Sequence, residues 1–436
     1  MIKANPLLGT FYHGVGALSA STCYTPQKKV GGWSWHTYWL VQAFVCWLVL
    51  PIIGAAVTIP HLVAVLHASP PSAMRNAFLL GMAYGIGGTA FGLSIRYIGF
   101  SLTYSIAIGL SSVLGTIIPL LVEGKLDATF QKIGGNYILL GIMIGVIGIA
   151  VTGAAGRIKE IGLSNGAPVL PSMPATPGIE ASSEATTEEY ARKSTAFNQK
   201  FSLTKGLLLS LIAGVLSAVY SFALLAGQPI ADVAIKYGAG VWQGNVVYIF
   251  ANGGAFITTL AYCGFVILKD GSAREFMRLS TGHSRGQLRL NFLMAGLTGL
   301  LWYGQFFFYN LGQVFLGKYN FSGWSMHMTM LVLFSGLIAI MLREWRGCRR
   351  SAQFLFVAAM ALLIIGIFAL TYGNYIGNTY GGPVKNHKST HDVPRKQVGL
   401  KSLDGKPAAP MRATLWFPVP LTALALENFT CCPLKT

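Results

Sequence analysis

At 436 residues, 53% hydrophobic and only 11% charged, the chain is too apolar to fold as a water-soluble protein. Its net charge of +18 sits in loops and a C-terminal tail, not on a basic helix interleaved with aromatics. Nucleic acid is thereby excluded as a partner and a lipid bilayer expected. The six cysteines form no Cys-x-x-Cys pattern with a histidine partner, so neither a zinc site nor a disulfide framework is indicated.

Ten stretches of about 20 residues have the length a ~30 Å hydrocarbon core requires. In order they are Leu7–Tyr24, Tyr38–Thr58, Ala77–Ile95, Phe100–Leu121, Asn136–Gly153, Gly206–Gln228, Val241–Leu268, Leu290–Gly312, Phe321–Leu342 and Gln353–Gly373. The first carries His13, Ser19, Ser21, Thr22 and Tyr24. Polar groups in hydrocarbon face protein or a water-filled cavity, so this helix is expected to line a path. It is too polar for a cleavable signal. Gly85-Ile-Gly-Gly-Thr-Ala90 matches a dinucleotide fingerprint in form. It lies mid-span with no preceding strand, so it reads as helix packing.

Gly16-Ala-Leu-Ser-Ala20 recurs as Gly214-Val-Leu-Ser-Ala218, which suggests two halves opening with the same helix. An odd number of helices per half makes the halves enter the membrane in opposite senses. The expected fold is an all-α membrane protein, ten transmembrane helices as two inverted five-helix repeats over 7–153 and 206–377. A flexible cytoplasmic linker over 154–205 joins them, and a disordered tail fills 378–436. The apolar run Leu415–Leu426 in that tail is broken by Pro418 and Pro420 and is too short to span.

Lys28, Lys29, Arg157, Lys159, Arg285, Arg289, Arg343, Arg346, Arg349 and Arg350 all follow odd-numbered spans. The opposite loops hold only scattered cations such as Arg75, Lys132, Lys236 and Lys318. Positive-inside bias therefore places both termini in the periplasm. The Lys-rich tail argues the other way but lies far from the spans.

No hydrolase, zincin or phosphate-loop motif occurs, so neither an enzyme nor an ATP-driven pump is expected. No Asp or Glu lies in the middle of any span. Histidine is then the remaining group that titrates near neutral pH. His13 in span 1 and His327 in span 9 share a depth, on the outer side of midplane. Both are candidates for proton coupling.

Trp302, Gln305 and Tyr309 fall at i, i+3 and i+7 on one face of span 8. An aromatic face beside an amide suits a sugar, whose C–H face stacks while its hydroxyls bond the amide. Tyr24 and Trp324 are further candidate substrate contacts, and Gln42, Asn245 and Asn252 are further intramembrane polar groups. No metal site and no cofactor are expected.

Taken together, these residues resemble a family, the L-rhamnose–proton symporters of the drug/metabolite transporter superfamily. The resemblance lies in Phe11, His13, Gly16-Ala17 and Ser19-Ala20, then Tyr24, Pro26, Lys28-Lys29-Val30 and Trp33-Ser34-Trp35. It continues through Arg96-Tyr97, Ser221-Phe222-Ala223, the block Trp302-Tyr303-x-Gln305-Phe306-Phe307-Phe308-Tyr309, Trp324, His327-Met328 and Glu344-Trp345. It implies a ten-helix importer of L-rhamnose and a proton in a bacterial inner membrane. The linker is longer than the resemblance implies, and the tail has no counterpart. Two other readings stand beside it: a same-fold transporter of another deoxysugar or metabolite, and a membrane sugar sensor without net transport.

Overall fold

The computed structural model describes residues 3–23, 25–98, 100–122, 124, 126–164, 203–277, 285–341, 343 and 345–380. Tyr24, the linker from 165 to 202 and the tail from 381 onward lie outside the described residues. Every regular element among the described residues is helical.

The long helices are α1 (Pro6–Thr22), α2 (Trp35–Thr58), α3 (Pro71–Ile98), α4 (Phe100–Val122) and α5 (Gly135–Ser164). They are followed by α6 (Leu203–Ala226), α7 (Val247–Lys269), α8 (Arg285–Leu316), α9 (Gly323–Met341) and α10 (Arg350–Tyr380). Eight segments of the described residues are long and apolar enough to cross a membrane. One of them, Arg285–Met341, holds both α8 and α9, joined by a 3₁₀ stretch at Gly317–Ser322. The 17 residues of α1 fall just short of that length.

Local chemistry sets the helix ends. Asn5 caps α1 by accepting from the Leu8 N–H at 3.2 Å, and Pro6 occupies the first turn, where its missing N–H costs nothing. Ser34 caps α2, accepting from the Thr37 N–H at 3.3 Å. Within α2 a π-helical stretch, Phe44–Val49, precedes Pro51. A proline ring clashes with the carbonyl four residues back, and a wider turn absorbs that clash. The fifth helix runs on past Gly153 to Ser164, because Ala, Arg, Ile, Lys and Glu are helix formers. There Lys159 lies 4.8 Å above the Trp345 ring.

The loop holding Lys28-Lys29 and Trp33-Ser34 is strapped down on the α8 side. Asn291 brackets Gly31, accepting from its N–H at 3.2 Å and donating to its carbonyl at 2.7 Å. Buried Glu275 accepts from the Ser34 N–H at 2.8 Å and the Thr37 hydroxyl at 2.6 Å. The Trp33 indole donates to the Glu275 carbonyl at 2.8 Å.

Helix partners follow a regular scheme. α3 packs against α6 and α7, and α8 packs against α1 and α2. α4 packs against α5 and α6, while α9 packs against α10 and α1. α5 lies along α10, α2 along α7, and α4 meets α9. In lipid there is no hydrophobic drive between helices, so small residues set these contacts. A Cβ on Gly81 would run into the Ala251 backbone, and one on Gly254 into the Phe78 backbone. One on Gly366 would meet the Gly145 nitrogen at 3.0 Å. The glycines of the Gly85–Ala90 stretch belong to this packing, Gly85 against Ala255 and Gly87 against Leu216. Gly81→Val is expected to lower stability by about 1–3 kcal/mol or more through overpacking. Gly296→Ala, where nothing lies within 4 Å of an added Cβ, is expected to be neutral. Thermal midpoints in detergent check this pair. Equal midpoints would remove the packing account.

Candidate sugar cavity and histidine pair

A cavity of about 90 Å³ opens among α1, α3, α4, α6, α8 and α9. Trp302 and Gln305 of α8 line it, with Cys23, Tyr84, Phe91 and Ser217 among the facing side chains. The Trp302 indole is fixed on several sides. It meets Trp39 edge-on at 5.3 Å and Trp47 at 5.6 Å, and it shares a hydrogen bond with Tyr84. Trp39 in turn stacks on Trp35 at 4.8 Å, so Trp35 is the first member of a tryptophan stack. Gln305 differs in kind. Its amide has no hydrogen-bond partner among the described residues. A rigid aromatic wall with a free amide beside it is what a polyhydroxylated ring with apolar faces requires.

The α8 stripe continues beyond the cavity. Tyr309 does not line it; it sits a turn further along, beside the two histidines. The His13 and His327 rings are 5.9 Å apart, and Tyr309 stands edge-on to both, at 5.1 Å and 5.4 Å. Both imidazoles are buried. The His327 ring hydrogen-bonds to the His13 backbone. Neither His13 nitrogen has a partner, nor does His327 Nδ1. Buried nitrogens without partners are rare in folded proteins and ask for an explanation. Room for His13 comes from two glycines. A Cβ on Gly312 or Gly323 would lie 2.8 Å from its Nε2.

Trp324 is placed behind this pair and away from the cavity lining. Its indole N–H donates to the Ser111 carbonyl at 3.0 Å, and its ring meets Tyr309 edge-on at 5.7 Å. It fits a space that Gly115 leaves open. The structure thus brings Trp302 and Gln305 to the cavity and His13, His327, Tyr309 and Trp324 to one adjoining cluster. Asn252 accepts from the Tyr220 hydroxyl, and Asn245 donates to Thr58 at 3.0 Å. Both amide atoms of buried Gln42 lack partners.

Sequence reasoning missed Tyr84 and Ser217, and also Cys23, which ends the very helix expected to line a path. It also missed Gln313, which donates its amide N–H to the Tyr309 hydroxyl. That residue was within reach, since 302, 305, 309 and 313 continue one helical stripe. Among the described residues no three His, Cys, Asp or Glu side chains converge on a metal position.

The sequence profile of the family described as L-rhamnose-proton symport protein matches residues 2–168 and 175–376. The chain belongs to this family. Similar relatives include the L-rhamnose-proton symporters of Klebsiella pneumoniae (strain 342) and Escherichia coli (strain 55989 / EAEC). That of Salmonella gallinarum (strain 287/91 / NCTC 13346) is a third. Each is 31% identical to this chain, covering 82% of it and 95% of the relative. The family match takes in the cavity and both histidines and stops at residue 376, before the Lys-rich tail.

Proposed function

We propose that this chain imports L-rhamnose together with a proton across a bacterial inner membrane. The observation that carries the reading is the α8 stripe. It joins a free amide and a fixed indole in a cavity to two buried histidines one to two turns away. Trp302 and Gln305 contact the sugar, and Tyr309 and Trp324 back them. His13 and His327 take the proton.

The architecture behind it is ten spans in two inverted five-helix repeats, the plan of the drug/metabolite transporter superfamily, with a cytoplasmic linker and periplasmic termini. Two features support it. Exchanging each helix for the one five places later maps the main helix contacts onto each other: α3 with α6 and α7 becomes α8 with α1 and α2. The same exchange maps the cavity helices α1, α3 and α4 onto α6, α8 and α9. A site at such a repeat interface serves alternating access. With cytoplasmic Lys and Arg as the guide, the histidine pair lies outward of the cavity, where protons arrive. Proton binding favours the sugar-binding state, and linkage makes the coupling reciprocal.

Reconstitution in lightly buffered liposomes tests this. Adding L-rhamnose outside should raise the external pH as sugar and proton enter together. L-fucose and D-glucose should not. Entry of labelled L-rhamnose without a pH change would discard the proton, and no entry at all would discard the transport reading.

A further inference from the structure

We propose that Gln313 is the positioning residue that transmits protonation of His13 to the sugar cavity. The inference rests on the proposed role of His13 as a proton carrier. It adds the part through which the two ligands feel each other.

His13 Nε2 and Gln313 Oε1 are both buried and both lack a hydrogen-bond partner. They face the same gap. A Cβ on Gly323 would collide with Gln313 Oε1 and lie 2.8 Å from His13 Nε2. When His13 is neutral with its proton on Nδ1, Nε2 and Oε1 are two acceptors opposite each other, and no bond forms between them. A proton on Nε2 turns the pair into donor and acceptor. The new N–H donates to Oε1 as a charge-assisted bond, the stronger kind.

The other end of the same amide is occupied. Gln313 Nε2 donates to the Tyr309 hydroxyl. An amide is one rigid plane, so drawing Oε1 toward His13 moves its N–H relative to Tyr309. The Tyr309 ring touches His13, His327 and Trp324. One helical turn before it on the same face stands Gln305, the free amide of the cavity. Gln313, Tyr309 and Gln305 therefore stand in series along one face of α8, with His13 of α1 at the Gln313 end and the cavity at the Gln305 end. The titratable groups facing His13 are Tyr309 from α8 and His327 from α9. The third helix beside α1, α10, presents the Thr371 hydroxyl to Thr10 at 3.0 Å.

The test is L-rhamnose affinity against pH in purified protein in nanodiscs, read by calorimetry. Wild type, Gln313→Leu, Gln313→Glu and His13→Ala are compared between pH 4 and 9. Coupled binding weakens by up to about tenfold per pH unit above the midpoint in wild type. Gln313→Leu should bind the sugar with affinity flat within about twofold over that range, since side-chain bulk is kept and the acceptor is gone. Gln313→Glu should keep the slope and move its midpoint up by about one pH unit, because a carboxylate favours the imidazolium. A wild-type slope in Gln313→Leu overturns the proposal, as does loss of binding at every pH. If Gln313→Leu does not fold, an unmoved midpoint in Gln313→Glu overturns it. His13→Ala separates the layers. A flat profile there with a sloping Gln313→Leu keeps the proton reading and rejects Gln313. A sloping His13→Ala rejects the proton reading itself.

Discussion

Leucine in place of Gln305 is expected to lower kcat/KM for L-rhamnose uptake by about 10- to 100-fold while leaving the protein folded. The amide of Gln305 offers a donor and an acceptor to the cavity and bonds to nothing else among the described residues. Two neutral hydrogen bonds to sugar hydroxyls are worth about 0.5–1.5 kcal/mol each. Their loss, with sugar hydroxyls left buried opposite a methyl, amounts to about 1.4–2.8 kcal/mol, and each 1.4 kcal/mol is a factor of ten. Stability should move by less than about 0.5 kcal/mol, since no internal bond is removed. Counterflow kinetics and a thermal midpoint measured on the same preparation decide it. Normal uptake would take Gln305 out of the sugar site. A collapsed midpoint would make it a structural residue.

Alanine in place of His13 should abolish uphill accumulation and spare exchange. One charge moved across about 100 mV is worth about 2.3 kcal/mol. That is about fiftyfold accumulation of sugar. Without a proton carrier the internal to external ratio should fall to about one. On the proposed reading sugar-for-sugar exchange needs only the cavity, so it should survive. The unpaired His13 nitrogens point the same way, because removing that ring breaks no hydrogen bond of its own. His327→Ala is expected to weaken accumulation less cleanly, since its ring also anchors the His13 backbone. If both single variants concentrate L-rhamnose as wild type does, the proton travels elsewhere.

These two experiments lean on parts of the molecule that differ in legibility. Trp302 and Gln305 were visible as a pair because helical geometry alone puts i and i+3 on one face. The same geometry extended to Tyr309 and Gln313, but it could not say that the stripe passes from a cavity into a histidine cluster. Trp324 shows the limit most clearly. An amphipathic ring in an apolar helix suits a sugar. Only the Gly115 gap and the Ser111 carbonyl reveal that it wedges α9 against α4. The histidines were singled out because no carboxylate competes for their role. Their shared depth followed from counting along helices at about 1.5 Å per residue.

What the sequence by itself determined is the class of protein, roughly where its long apolar helices lie along the chain, and which polar groups those helices carry. Water-free hydrocarbon imposes those features one segment at a time, through length and composition. The tertiary structure alone decided that six helices surround a cavity, and that His13, His327 and Tyr309 meet in one cluster. Neighbours in a helix bundle are chosen by close approach at small residues, such as Gly312 and Gly323 around His13. That choice is made between segments remote in the chain. Hydropathy, a property of each segment alone, carries no record of it.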